Sequence, residues 1–145
     1  MSVLKLMKPR EKIIQKLDMM DSYLNELESM LPSTVDDYIE NLQVRRACEK
    51  TIELAIEKVI EILSSIIVEK RFGIPSSEES IIEIAQKNKV LSISLAKKIR
   101  AMKGFRNILV HKYGEVEDEQ VFQYFSNELG DFDLFKREIL KFVKN

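Results

Sequence analysis

The sequence predicts an all-α fold, a mostly antiparallel up-and-down bundle of four to six helices in which the second helix is very long. Glycine and proline are scarce, at 4 and 3 of 145 residues, which argues against a β fold rich in turns. Several segments place apolar residues at steps of three and four, and none shows the alternation of a β-strand. A chain of this length can bury a sizeable core, so we expect one helical domain over residues 1–145.

The first helix is predicted from about Pro9 to Met30. Proline suits the first helical turn, where its missing N–H would have no partner. The following apolar residues have the spacing of a packed helix face: Ile13, Leu17, Met20, Leu24, Leu27 and Leu31. The helix is expected to end at Leu31, because the residue before a proline avoids the α conformation.

The second helix is predicted to begin near Ser33 and to run to about Arg71, where a Phe-Gly-Ile-Pro sequence provides a stop. Nearly forty residues of helix would extend about 55 Å. Its apolar face is wide and consists of Cys48, Ile52, Ala55, Ile56, Val59, Ile60, Ile62, Leu63, Ile66 and Ile67. Such a face can bury against more than one neighbour, and we expect a second subunit to be among them.

A short third helix is predicted from about Ser76 to Asn88, and a capping box of Ser76 and Glu79 would begin it. Residues 118–143 at the end of the chain carry phenylalanines at helical spacing. Gly130 and Asp131 interrupt that segment, so it is expected to form two helices.

The fourth helix is predicted from about Ser92 to Lys112. Its apolar stripe consists of Leu91, Leu95, Ile99 and Met102. The same stepping next reaches Arg106, where a core residue is expected. A buried arginine is unfavourable unless it is paired, so its position needs a reason. One reason is an ion pair with a glutamate of the second helix; a functional site is the other.

A window of 28 residues, Lys87 to Gly114, contains no aspartate or glutamate and carries eight positive charges. The chain as a whole has a net charge of −1, so the remaining 117 residues carry −9. This separation suggests a basic surface for an anion, which we interpret as RNA phosphate. Arg100, Lys103 and Lys112 are the expected RNA-binding face, although a basic helix face can also be merely solvated.

The single cysteine, Cys48, excludes an intramolecular disulfide and a zinc site built from several cysteines. It is expected to be a core residue. The N-terminus shows no signal-peptide pattern, and no apolar run approaches the length of a membrane span. We therefore expect a cytoplasmic protein that does not bind membranes.

His111 is the only histidine, and it follows Arg106 by five residues. On an ideal helix this spacing leaves the two side chains about 140° apart, so one straight helix cannot direct both at one phosphate. Either the helix frays near Gly114, or two copies of the chain meet across a twofold axis and line one cleft. We prefer the second, because it also covers apolar surface. A histidine that only caps the helix C-terminus is the alternative.

These residue types suit RNA cleavage because RNA supplies its own nucleophile, the 2′-OH. A histidine titrates near neutral pH and can act as general base or general acid. An arginine keeps its charge and forks onto phosphate oxygens. Asn107 lies one turn before His111 and is expected to orient the imidazole. This chemistry requires no metal ion and no cofactor.

Residues 106–113 read Arg-Asn-Ile-Leu-Val-His-Lys-Tyr. This stretch resembles the R-x4-H-x-Tyr motif of the HepT-like branch of the HEPN (higher eukaryotes and prokaryotes nucleotide-binding) superfamily. The long second helix, the sequence Met-Lys-Gly-Phe before the motif and Tyr113-Gly114 after it are similar to that branch as well. The likeness covers roughly Lys8 to Phe142.

The resemblance implies a homodimeric helical bundle that acts as a metal-independent endoribonuclease toxin of a toxin–antitoxin module. Its partner would be a minimal nucleotidyltransferase antitoxin. By the same resemblance, Arg106 and His111 are catalytic, Asn107 is a supporting polar residue, and Tyr113 is the site to which the partner transfers AMP. The alternative is a non-catalytic HEPN module that binds a nucleotide or a protein beside a nucleotidyltransferase.

Overall fold

The computed structural model describes residues 8–111 and 118–144, and within these ranges it contains seven α-helices and no β-strand. The helices are α1 Pro9–Met30, α2 Val35–Glu40, α3 Leu42–Lys70, α4 Glu78–Lys87, α5 Ile93–Val110, α6 Asp118–Asn127 and α7 Gly130–Lys144. The predicted all-α class is confirmed, although the helices number one more than the upper end of the predicted range. Lys112 and Tyr113, two of the predicted functional residues, lie outside the described residues.

The long second helix of the prediction is divided at Asn41, which has an extended backbone with φ −106° and ψ 95°. Its side chain accepts a hydrogen bond from the backbone N–H of Val44 at 3.0 Å and so caps α3. Asparagine is one of the best N-cap residues, because its side chain competes for backbone groups that a helix interior would use. The prediction of a single helix from Ser33 to Arg71 was therefore wrong. The spacing of apolar residues continues across Asn41 and does not reveal the break.

Helix α3 lies at the centre of the fold. It packs along α1 and also contacts α4 and α5. Its wide apolar face is buried inside the protomer, where Ile52, Ile56, Val59 and Leu63 have almost no exposed surface. This face therefore does not need the second subunit that its width suggested.

The C-terminal segment forms two helices, α6 and α7, as predicted, and the second begins at Gly130. An aromatic cluster joins α6 to α2, since the ring of Tyr38 lies 5.5 Å from that of Phe122 and 6.0 Å from that of Phe125. Phe132, Phe135 and Ile139 bury the inner face of α7 in the same core. No helix in the described ranges combines the length and apolar character needed to cross a lipid bilayer.

The packing of α1 against α3 predicts the effect of truncating Leu17, whose residue surface is 1% exposed. Leu17→Ala is expected to lower the free energy of unfolding by about 2–5 kcal/mol, because it removes buried methyl groups and leaves a cavity. Met19→Ala on the same helix is the control, since Met19 is 40% exposed and surface truncations usually change stability by about 0.5 kcal/mol or less. Urea unfolding of the three proteins measures both effects. Equal losses in the two variants would contradict this packing.

Candidate active site

Helix α5 carries Arg106, the first residue of the motif. Ser92 caps the helix, because its hydroxyl oxygen accepts a hydrogen bond from the backbone N–H of Leu95 at 3.1 Å. The predicted stripe is confirmed, since Leu91, Leu95, Ile99 and Met102 are all buried. Arg106 continues this stripe, and its side chain is only 11% exposed.

The first turn of α4 lies opposite this arginine. Ser77, rather than Ser76, caps α4, and its box partner is Ser80 instead of Glu79: the Ser77 hydroxyl accepts from the Ser80 N–H at 3.1 Å, and the Ser80 hydroxyl accepts from the Ser77 N–H at 2.9 Å. The expected capping box of Ser76 and Glu79 was therefore wrong. Because the serines make the caps, the carboxylates of Glu78 and Glu79 are left to interact with α5.

Arg106 forms an ion pair with Glu78, in which Nη2 donates to Oε1. The sequence suggested a structural partner from the second predicted helix, but the glutamate comes from the helix after it. An arginine this buried needs a counter-charge, and Glu78 provides it. Glu78 itself is far more accessible than its partner, with 40% of its side chain exposed.

Glu79 pairs with two further cations of the basic window. Its carboxylate accepts from Arg100 Nε at 2.7 Å and from Lys103 Nζ at 3.5 Å. The hydrogen bond from Arg100 is the main reason that the pKa of Glu79 lies below its ordinary value.

A further cation of the basic window, Lys98, pairs with Asp131 of α7 at 3.4 Å. Two of the three residues of the predicted RNA-binding face, Arg100 and Lys103, are thus neutralised locally, and Lys112 lies outside the described residues.

Arg106 and Glu78 line a cleft of about 610 Å³ between α1, α3 and α4. Lys12 and Lys16 of α1 add two further positive charges to this lining. Three further carboxylates, in addition to Glu78, line it from α3: Glu57, Glu61 and Glu69. The cleft therefore contains three cations and four carboxylates, and Lys16 is already paired with Glu61 at 2.6 Å. Sequence reasoning missed these residues, because on α1 and α3 they form the ordinary wet side of an amphipathic helix.

His111 lies outside that cleft. It is exposed and follows α5 as the C-cap residue, with its backbone N–H donating to the carbonyl oxygen of Asn107 at 3.0 Å. Asn107 is exposed as well. The hydrogen bond that the structure describes between Asn107 and His111 is this one between backbone atoms. His111 is therefore not among the residues that line the cleft with Arg106. The expected orientation of His111 by the Asn107 side chain stays a prediction.

Two neighbouring side chains give this region an apolar border. Val110 follows Arg106 by one helical turn and is exposed, and Val68 of α3 is exposed at the rim of the cleft. Single exposed apolar side chains are common on protein surfaces, so these two residues do not by themselves identify an interface.

Cys48 is completely buried, as predicted for a core residue. Burial raises the pKa of its thiol to about 11, so it carries no thiolate at neutral pH. In residues 8–111 and 118–144, no group of three or more His, Cys, Asp and Glu side chains is placed to hold a metal ion.

Comparison with known proteins adds independent information. The model of the family described as ribonuclease HepT-like matches residues 20–139. The chain is similar to a tRNA nuclease HepT of Aphanizomenon flos-aquae, with 29% identity over 129 residues that cover 88% of this chain and 87% of the relative. It is also similar to an mRNA nuclease HepT of Shewanella oneidensis, with 31% identity over 100 residues that cover 69% of this chain and 68% of the relative.

Solved structures agree with the fold. The AMPylated HEPN toxin of Shewanella oneidensis, determined in complex with an MNT antitoxin, superposes with a TM-score of 0.81 and 22% sequence identity. The alignment covers 89% of this chain and 96% of the toxin. At this identity the likeness establishes a common helical architecture.

Proposed function

Since this chain belongs to the ribonuclease HepT-like family, as its motif indicated, we propose that it is a metal-independent endoribonuclease toxin of a toxin–antitoxin module. The observation that carries this proposal is the extent of the family match, which runs from residue 20 to residue 139 and includes Arg106, Asn107, His111 and Tyr113. Two relatives that match over most of their length are named as nucleases of tRNA and of mRNA. RNA is therefore the proposed substrate.

In the proposed mechanism His111 removes the proton from a ribose 2′-OH, and the oxygen attacks the adjacent phosphorus. The new 2′-O–P bond forms while the P–O5′ bond breaks, which leaves a 2′,3′-cyclic phosphate. The leaving 5′ oxygen takes up a proton, for which an imidazolium is a suited donor. Arg106 stabilises the charge that develops on the phosphate oxygens. Every bonding change is thereby accounted for by the RNA and by these two side chains.

The proposed active unit is a homodimer. His111 lies outside the cleft that Arg106 lines, and the helical spacing of the two residues turns them away from each other. A second protomer would cover the exposed Val110 beside the motif and could bring the two functional groups together. The support for a dimer is therefore this geometry at the end of α5, rather than the buried face of α3.

The proposed partner is a minimal nucleotidyltransferase antitoxin that transfers AMP to Tyr113. The support is the solved toxin of the same fold, which is AMPylated and bound to an MNT antitoxin. Tyr113 follows His111 by two residues, so AMP there would add bulk and a negative charge next to the catalytic imidazole. Both effects oppose the entry of RNA.

One observation favours a second candidate, a non-catalytic module that binds a partner protein. The form of this candidate that binds a nucleotide gains no support from it, because a nucleotide is itself an anion. The cleft holds more carboxylates than cations, and its arginine is already paired, so the described protomer attracts a polyanion only weakly. Tight nucleotide or partner binding without RNA cleavage would identify this alternative.

The cleavage hypothesis predicts the effect of removing either functional side chain. His111→Ala and Arg106→Ala are expected to lower the rate of RNA cleavage in EDTA by at least about 100-fold, because each removes a group that acts on the reacting phosphodiester. Lys97→Ala, an exposed cation of α5 that does not line the cleft, is the control and should cleave at the wild-type rate. The measurement is gel analysis of tRNA and mRNA. Cleavage by His111→Ala at the wild-type rate would refute the mechanism, as would absence of cleavage by the wild type.

The regulatory hypothesis predicts a change of mass. Incubation with the nucleotidyltransferase and ATP should add AMP units to the wild-type protein and none to Tyr113→Phe, because phenylalanine lacks the accepting hydroxyl. Intact-protein mass spectrometry measures this. Tyr23→Phe, at a tyrosine of α1, is the control and should be modified like the wild type. A Tyr113→Phe protein that is still modified and still neutralised would end the hypothesis.

The dimer hypothesis predicts that Val110→Glu is monomeric, because it places an exposed charge in the apolar border that a second protomer would cover. Ile74→Glu is the matched control, since Ile74 is exposed in the segment between α3 and α4. Multi-angle light scattering at micromolar concentration distinguishes the masses. A wild-type protein with a monomeric mass would contradict the hypothesis.

A further inference from the structure

The ion pair between Arg106 and Glu78 is unequal in burial. The arginine side chain is 11% exposed and that of the glutamate 40%, so the guanidinium is reached mainly from the cleft while the carboxylate faces solvent. A guanidinium binds carboxylate and phosphate oxygens through the same N–H donors. Glu78 therefore occupies part of the binding capacity that a substrate phosphate would use.

The remaining charges of the cleft make this competition matter. Lys16 is held by Glu61, and Glu57 and Glu69 add two further negative charges. A phosphate that enters the cleft meets a surplus of one carboxylate over the cations. Neutralising Glu78 alone would remove that surplus.

Glu78 is held in place by the start of α4. It is the first residue of that helix, and the cap made by Ser77 fixes the turn that carries it. Its negative charge lies at the positive end of the helix dipole. The carboxylate is therefore a fixed counter-charge for Arg106.

The neighbouring Glu79 provides an internal comparison. It lies on the same turn and also pairs with cations of α5, but its partners Arg100 and Lys103 do not line the cleft. The two glutamates thus pair with different cations. Among these three cations, only Arg106 belongs to the proposed catalytic pair.

We propose that Glu78 is a positioning residue for Arg106: it orients the guanidinium toward the cleft and competes with RNA phosphate for it. The inference rests on the proposed function, because it assigns Arg106 to the phosphate. Two effects follow from one side chain. The acceptor oxygen holds the guanidinium in the geometry that catalysis needs, and the negative charge weakens the binding of substrate.

Two substitutions separate these effects. Glu78→Gln keeps an acceptor oxygen for Arg106 and removes the charge, whereas Glu78→Ala removes both. Each is assayed for cleavage of an RNA dinucleotide, which carries a single phosphodiester, so that contacts of further phosphates with Arg100 and Lys103 do not contribute. Glu79→Gln and Glu79→Ala are the matched controls, and thermal unfolding of all five proteins reports on their folding.

Glu78→Gln is expected to lower KM about 3- to 10-fold, since it removes a like charge next to the phosphate, and to leave kcat within about 2-fold of the wild type. Glu78→Ala is expected to lower kcat about 10- to 100-fold, because an unheld guanidinium is misplaced in the transition state. The two Glu79 variants should change neither constant by more than about 2-fold, because the partners of Glu79 do not line the cleft and ion pairs this exposed contribute little. If Glu78→Ala fails to fold, the KM of Glu78→Gln decides.

Three results overturn the inference. Glu78→Gln could show an unchanged KM, Glu78→Ala could keep the kcat of Glu79→Ala, or Glu78→Gln could lose kcat by at least about 100-fold, as expected if the carboxylate were itself a general base. If the wild type cleaves no RNA, the proposed function fails separately. The equilibrium binding of a short RNA by the wild type and by Glu78→Gln then decides: tighter binding by the variant supports the competition, and equal binding refutes it.

Discussion

The burial of the wide apolar face of α3 is the constraint on which the rest of the structure depends. Because this face is covered by α1, α4 and α5, those three helices have fixed positions relative to one another. The first turn of α4 then lies against the end of α5, and Glu78 meets Arg106. The charged cleft is a consequence of the same packing, since it opens where the polar sides of α1 and α3 face those two residues.

Periodicity was sufficient to predict the all-α class, the bounds of α1 and the division of the C-terminal segment, because these depend on local spacing. It missed the cap at Asn41, where a single polar side chain overrides a continuing apolar pattern. It placed Arg106 on a core stripe and indicated that a counter-charge was needed. It could not identify Glu78, because the partner across two helices depends on how they pack, and spacing within one helix contains no such information.

The basic window illustrates the same limit in terms of charge. Along the chain, eight cations occur without an acidic residue among them. In space, Glu78, Glu79 and Asp131 from the neighbouring helices pair with four of these cations. The net charge of a sequence window therefore indicates the electrostatic field at a surface only where no neighbouring helix supplies side chains of opposite charge. Here the packing of α4 and α7 onto α5 reduces that field.

The spacing of the motif gives the proposed dimer its physical basis. Five residues along a helix turn the two side chains about 140° apart, and the structure agrees, since Arg106 faces the cleft while His111 caps the exposed end of α5. In the described protomer Arg106 is a paired charge, and His111 closes α5 through its backbone N–H. The proposed chemistry needs them at a single phosphate, and a second copy of α5 is the element whose approach could supply the missing group without unfolding the first.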